Sequence, residues 1–566
     1  MKKSYVFSMM WISGICISHG SYAQVEQTWI QRYETATDEA PIAVKTNGAA
    51  TYVLGQTNQF TPAGDFILIK YNGAGTFQWA QTYNGPGNGE DRPVAMTLDN
   101  AGNIYVVGKS FLAIPNGGTT GQAVTLKYNS AGSLLWTAIT LRPDYYPCEP
   151  DDVAVDAAGN VYVAGSTIQG EPFAYDFMTI KYNSSGVEQW TRTYDGTGRG
   201  IDMNTRLALD ASGNIYVTGE SFGTLKKGLR FPIKTFADFY TIKYNPNGGV
   251  MWQRRYDSQY HSLDRPSAIA LDNAGGVYIT GSSNTDPDNS DYLTMKLNGT
   301  NGNVIYTARY NGAANGLDQA IGIVVNGAGE AFVTGLSDPY GDFAFDYLTI
   351  KYSSTGAEAW TARYNGPTDG RDIPNDIKID GFGFVYVTGE SQGDFGYDFA
   401  TVQYGNTGTE LWKVRYNGPA SGSDKAVDMA VYTPPGPSFE LPHVYVTGSS
   451  EGASGLDIAL VKYEQPLVIG DFANTTSGLS NYPNPFTEST TIKYHVAYDS
   501  DVSIEVIDIS TGREVRSIAI GQMVAGGHDY ALDARGLKQG NYVYKIIANS
   551  DKGKFIETKT MQIDNK

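Results

Sequence analysis

The residues best suited to chemistry in this chain are carboxylates, and they are spaced with a regularity that limits what they can do. One aspartate recurs eight residues after the tyrosine that closes a Trp/Tyr-x-x-x-Tyr segment, at Asp91, Asp202, Asp264, Asp318, Asp372 and Asp424. A side chain needed after nearly every copy of a segment serves the segment, here as a cap on backbone N–H groups of a turn. The sharper alternative is a ring of carboxylates that attracts cations. Asp176 and Asp346, which open a second recurring segment, have the same two readings. The stretch Asp286-Pro287-Asp288-Asn289-Ser290-Asp291 offers Asp286, Asp288 and Asp291 as hard oxygen donors for calcium. It lacks the glycine and the full donor spacing of a calcium loop, so an acidic surface loop is the plainer reading.

Other reactive side chains are sparse. After residue 23 the histidines are His261, His443, His495 and His528, none at ligand spacing from a cysteine or another histidine. No catalytic residue, metal site or cofactor is therefore expected. No phosphate-binding loop or nucleophile elbow occurs in a fitting context. Cys148 has no partner after residue 23 and reads as a small buried residue rather than a nucleophile. The candidate ligand-binding residues lie where copies of the repeat differ: Tyr145 and Tyr146 within 142–150, Lys226, Lys227, Arg230, Phe231 and Lys234 within 221–237, Tyr260 and His261 within 257–263, and the stretch 111–121. Basic and aromatic side chains on an acidic chain suit an anionic glycan or a protein surface. The plain alternative is a tolerated insertion packed on its neighbours.

Four strand-like segments cycle through most of the chain and must position these residues. They are exemplified by 266–272 (PSAIALD), 277–282 (VYITGS), 346–352 (DYLTIKY) and 360–364 (WTARY). Apolar residues alternate within each, as half-buried strands require, and Gly and Asn stand in the short turns between. The second segment has its glycine at 55, 108, 165, 219, 281, 335, 389 and 448, a spacing of about 50 to 60 residues. Four strands per repeat at that period predict an all-β propeller of eight blades, with seven as the runner-up. The last repeat ends at Tyr463 without its Trp segment, and Trp29-Ile30-Gln31-Arg32-Tyr33 is a Trp segment with no repeat before it. The N-terminal strand is thus expected to complete the eighth blade and close the ring, leaving no open edge. First-to-second and third-to-fourth turns then share one face, and the second-to-third and interblade loops share the other, expected to be the variable, binding face.

The 566 residues exceed one ordinary core. Residues 1–23 read as a signal peptide: Lys2 and Lys3 precede a short apolar run, and Ser21 and Ala23 suit cleavage before Gln24. No later segment is apolar enough to span a membrane. The expected organisation is a propeller over 24–463, a linker over 464–480 and a small Ig-like β-sandwich over 481–566, where Gly512, Gly536 and Gly540 punctuate short strands. The net charge of −18 disfavours nucleic acid as a partner.

Two resemblances follow. GNIYVTGES at 213–221 and the DFxTIKYN-like segments are similar to bacterial β-propeller repeats of the SBBP type, often described with seven blades. That resemblance implies a propeller and an extracellular location, and no single activity. NYPNPF at 481–486, Val506-Ile507-Asp508 before Gly512-Arg513-Glu514-Val515, Leu537, Gly540, Tyr542, Tyr544 and KTMQI at 559–563 resemble the type A C-terminal sorting domain of type IX secretion. This second likeness implies the type IX secretion machinery as a partner, passage through the periplasm, and release from or attachment to the surface of a Gram-negative bacterium. The expected function is a secreted or cell-surface scaffold that binds a protein or polysaccharide through the variable face. The alternative is an extracellular polysaccharide hydrolase or lyase using carboxylates on that face.

Overall fold

The computed structural model describes residues 25–564, apart from 36, 60, 62–63, 114–118, 141–145, 169–173, 197–199, 223–236, 287–288, 435–441, 453–454, 465–478, 497, 510–512 and 551–552. The described residues form β-strands and turns, with no helix. Contacts divide the chain into two compact units, Gln24–Thr433 with Pro442–Gln465, and a second that includes Pro466–Lys566.

The first unit is a succession of four-stranded antiparallel sheets, all but the last made of strands consecutive in sequence. They cover residues 40–83, 91–140, 148–194, 202–256, 264–310, 318–364, 372–416 and 424–464, and are called the first to eighth sheets. The strands Asp424–Tyr432, His443–Glu451 and Leu456–Glu464 supply only three strands to the last, and Glu26–Tyr33 pairs antiparallel with Leu456–Glu464 as its fourth. First strands of successive sheets pack on one another, and Asp424–Tyr432 packs on Ala40–Thr46.

Burial follows strand position. Second and third strands such as Ala50–Gln56 and Asp346–Tyr352 are buried along their whole length. Fourth strands such as Glu188–Tyr194 are only half-buried or exposed. The apolar clusters lie between sheets: Tyr52, Leu54 and Phe66 meet Met96, Val106 and Val124, and Val44, Val53 and Ile67 meet Tyr445, Ile458 and Leu460. Each fully buried Val, Ile or Tyr removed from water contributes roughly 1.5–3 kcal/mol before entropy is counted.

Loop lengths differ from expectation in two ways. The segments joining one sheet to the next are not variable: 84–90, 257–263, 311–317, 365–371 and 417–423 each hold seven residues. The first-to-second turns are short except in the eighth sheet, where 433–442 separate the strands. Variation is concentrated in second-to-third loops, from 394–395 to 223–236.

The second unit pairs Ser480–Tyr482, Ser489–Val496 and Gly526–Asp533 in one sheet and Arg513–Met523, Ser500–Asp508, Gly540–Ser550 and Gly553–Ile563 in another. Phe486, Ile492, Tyr494, Ile504, Val506, Tyr544 and Ile563 share one core.

Candidate functional site

The repeated charged and aromatic residues are consumed at the seams between sheets. Trp136, Trp190, Trp252 and Trp360 each donate Nε1–H to a carbonyl of the following sheet, at Ser184, Pro246, Gly299 and Asn406, over 3.0–3.2 Å. The third-strand lysines aim at the same carbonyls, with Lys243 Nζ 2.7 Å from Gly299 O and Lys181 Nζ 2.9 Å from Pro246 O. Each ring lies on a turn glycine of the next sheet. Gly408 has φ +82°, and a Cβ there would stand 2.7 Å from the Trp360 ring. Lys243 is buried and Lys181 half-buried at these seams.

The recurring aspartates act as caps. Asp202, Asp264, Asp318 and Asp424 accept the backbone N–H of Gly196, Ser258, Gly312 and Gly418 over 2.6–2.8 Å. Beside them, fourth-strand arginines bind third-strand aspartates: Arg255 with Asp238 at 2.7 Å, Arg309 with Asp291 at 2.9 Å, Arg363 with Asp346 at 3.1 Å and Arg415 with Asp398 at 2.7 Å. The third sheet departs from this. Thr193 holds the position of Arg363, and the carboxylate oxygens of Asp176, Asp195 and Asp202 converge within 4.8 Å of one another, as do those of Asp238, Asp257 and Asp264 in the fourth sheet. Burial, with the charges of Asp195 and Asp202, pushes Asp176 up to about 7.

A different pattern governs the first strands. Every one carries a β-bulge at the same place, between Pro41 and Ala43, Pro93 and Ala95, Pro150 and Asp152, Met203 and Arg206, Pro266 and Ala268, Ala320 and Gly322, Pro374 and Asp376, and Ala426 and Asp428. A bulge leaves a residue unpaired and re-aims the neighbouring side chains. Here bulge residues from six first strands line one cavity of about 430 Å³, among them Lys45, Asp151, Asp152, Arg206, Asn375, Asp376 and Asp428, with Val94, Ala95 and Met96 supplying apolar wall.

The carboxylates of this cavity knit neighbouring strands. Asp152 accepts the N–H of Leu207 at 3.0 Å, Asp376 that of Met429 at 3.0 Å, and Asp428 that of Val44 at 2.7 Å. Lys45 Nζ lies 3.1 Å from Asp428, and Lys378 Nζ lies 2.5 Å from Asp376 and 3.9 Å from Asp428. Burial pushes Asp151 and Asp152 up. Burial, with the neighbouring Asp428 charge, does the same to Asp376. Burial opposes ionisation of Asp428 as well, yet Lys45 and Lys378 hold it below its ordinary value. Non-repeated polar groups thus converge at one spot. Sequence reasoning missed them, although aligning the first strands at the bulge would have exposed a repeat position that changes from alanine or glycine to aspartate or arginine from copy to copy.

The predicted site residues are scattered. Tyr145, Lys226, Lys227, Arg230, Phe231 and Lys234 lie outside the described residues. Tyr146 is half-buried, its carbonyl accepting Gln122 Nε2–H at 3.1 Å. Tyr260 is exposed. His261 has φ +48° and takes the turn position held by Asn88, Asn315, Asp369 and Ser421 in other loops. It belongs to the standard seven-residue connection rather than an insertion, with Nδ1 2.8 Å from Asp257 Oδ2. Of the calcium candidates, Asp288 is outside the described residues, and Asp286 pairs with Asn289 in the strand register. Asp291 is buried against Arg309. Cys148 is buried, with Sγ 3.4 Å from Thr167 Oγ1.

Residues 480–559 match the family described as a secretion system C-terminal sorting domain, and residues 360–396 match the beta-propeller repeat family. The chain joins β-propeller repeats to a sorting domain. No curated protein matches it. Among solved structures it is similar to the quinohemoprotein alcohol dehydrogenase of Comamonas testosteroni, at 12% identity and TM-score 0.46 over 78% of this chain and 76% of that one. It is similar to a PL25 ulvan lyase at 12% identity and TM-score 0.39, over 68% and 95%. It is also similar to the WD40 domain of SCAP from fission yeast at 10% identity and TM-score 0.38, over 78% and 98%. These likenesses carry no argument about activity. Among the described residues no helix is long and apolar enough to cross a membrane.

Proposed function

We propose that the chain is a secreted or cell-surface β-propeller of eight blades, closed by Glu26–Tyr33, that binds a protein or polysaccharide through the end of its sheets carrying the second-to-third and interblade loops. Residues 1–23 act as signal peptide and 464–480 as linker. The 481–566 sandwich addresses the chain to type IX secretion, which delivers it through the periplasm to the outer surface. The observation that carries the binding role is a set of exposed aromatic rings on the connection between the fourth and fifth sheets and on the second-to-third loops of the sixth and seventh. Tyr260, Tyr340, Phe343 and Phe395 are 49%, 76%, 66% and 85% exposed, and all lie at that end. Rings held in water on a rigid scaffold gain by stacking on a sugar or packing on a protein.

The alternative, a polysaccharide hydrolase or lyase using carboxylates at that end, has less support, because the recurring aspartates there already hold backbone N–H groups. A glycan array and a depolymerisation assay on the same sugars separate the two readings. Binding without turnover, lost in Y340A/F343A/F395A, is the expected result; turnover would displace the scaffold reading.

A further inference from the structure

Five sheets place an arginine beside the aspartate that opens their third strand: Arg255 with Asp238, Arg309 with Asp291, Arg363 with Asp346, Arg415 with Asp398 and Arg32 with Asp457. The third sheet keeps the aspartate, Asp176, but has Thr193 in the arginine's register. It also carries Asp195 where the fifth, sixth and seventh sheets carry Asn311, Asn365 and Asn417. Relative to those copies the spot loses a cation and gains an anion. With Asp202, from the first strand of the fourth sheet, three carboxylates meet with oxygens within 4.8 Å of one another. Asp202 is fully buried, and its Oδ2 accepts the Gly196 N–H at 2.6 Å. Asp176 is only 6% exposed, and among the described residues no hydrogen-bond donor or cation meets its carboxylate. The Arg255 guanidinium, whose charge reaches Asp202, is bound to Asp238 and Ser221. A buried carboxylate left without a partner is costly, and without an ion these three must repel one another or take up a proton.

The fourth sheet shows the same triangle satisfied from within the chain. Asp238, Asp257 and Asp264 also converge within 4.8 Å. There Arg255 binds Asp238 at 2.7 Å, and His261 Nδ1 stands 2.8 Å from Asp257. Asp264 accepts the Ser258 N–H at 2.8 Å and the Ser283 hydroxyl. The first sheet also lacks the arginine, with Thr82 in its register, but it has Asn84 where Asp195 stands, and Asp65 is half-buried. The second sheet has Gln122 in place of the aspartate. Three carboxylates with no cation of the chain bound between them are thus confined, among the described residues, to the third sheet. Their chemistry selects the ion. Carboxylate oxygens with no thiolate or imidazole suit a hard cation. At Ca–O distances of about 2.3–2.6 Å, two oxygens on one calcium stand at most about 5 Å apart, and the triangle lies within that span. Magnesium keeps most of its waters and takes one or two carboxylates, so three favour calcium. Asp195 is exposed, which lets water reach the spot and complete the coordination.

We propose that Asp176, Asp195 and Asp202 bind one calcium ion, which neutralises this seam as Arg255 neutralises the next and ties the third sheet to the first strand of the fourth. The test is calorimetric titration of calcium into the chain from Gln24 to Lys566 after stripping with EDTA, with Tm followed in parallel. One site with Kd of about 10⁻⁴ to 10⁻³ M is expected, together with a rise in Tm. Magnesium and zinc should bind at least tenfold more weakly. Asp195→Asn changes an exposed side chain and should weaken calcium binding at least tenfold. Thr193→Arg should abolish binding and raise Tm in EDTA, because the guanidinium takes the ion's place. Asp257→Asn, at the triangle that Arg255 already fills, should leave calcium binding unchanged. Absence of calcium-dependent heat and Tm shift, or magnesium or zinc bound as tightly as calcium, would overturn the proposal. So would calcium binding that survives both Asp195→Asn and Thr193→Arg, or that is lost equally in Asp257→Asn.

Discussion

The seams between sheets and the axial cavity are built from the same repeat, and they treat charge in opposite ways. At the seams several copies carry the same device: in the fourth sheet Trp252 and Lys243 are directed at one carbonyl of the next sheet, and Arg255 is bound to Asp238. At the axis the aligned position changes from alanine to aspartate to arginine. Uniformity at the seam reflects a job done once per sheet. Diversity at the axis means that the residues there answer to each other and not to the sheet that bears them. The third sheet sharpens the contrast, because it keeps the seam aspartate but replaces the arginine with Thr193.

The largest effect should come from breaking the seam altogether. Removing residues 27–33 strips the eighth sheet of its fourth strand and uncovers an edge, and the melting temperature should collapse; an unchanged Tm would refute closure by that strand. Next is Trp252→Ala at a buried seam, expected to cost about 3–5 kcal/mol by chemical denaturation. At the axis, Asp428→Ala leaves Lys45, Lys378 and the Val44 N–H without their carboxylate and should cost about 3 kcal/mol. If it costs no more than a surface change, the axial network is not holding the inner strands.

Smaller, but diagnostic, is the pH dependence of the third sheet. Burial raises Asp176 to about 7, against about 6 for Asp238 and Asp346, which have arginine partners. An aspartate whose folded pKa lies above its ordinary 3.8 binds more protons folded than unfolded. Its contribution to stability therefore falls as pH rises from about 4 to about 7. Tm should be higher at pH 5 than at pH 8, and Thr193→Arg should recover about 1 kcal/mol at pH 8 while changing little at pH 5. A variant with an unaltered pH profile would show that the guanidinium does not govern Asp176. Least disruptive of all should be Y340A/F343A/F395A, whose stability should stay within about 0.5 kcal/mol of the parent, because these rings are exposed.

The strands, the turns and the sorting sandwich were legible in the residues, because alternation and turn chemistry are local properties. Gly408 needs its positive φ whatever surrounds it, and Asp346–Tyr352 carries the aromatic and β-branched residues of a strand whether or not a partner is known. Loop diversity misled in one respect: Tyr260 and His261 differ from their counterparts in type but occupy a connection of standard length. A residue's identity in a loop says less than its register.

By itself the sequence determined that strands recur with one period, that Trp29 to Tyr33 lacks a repeat before it, and that a second β module follows. Only the tertiary structure decided what meets at the axis. Asp152, Arg206, Asp376, Asp428 and Lys45 lie on five different strands, far apart in the chain, and a bulge in each re-aims the residues that face the cavity. Nothing local to any one strand records which other strands face it across the cavity.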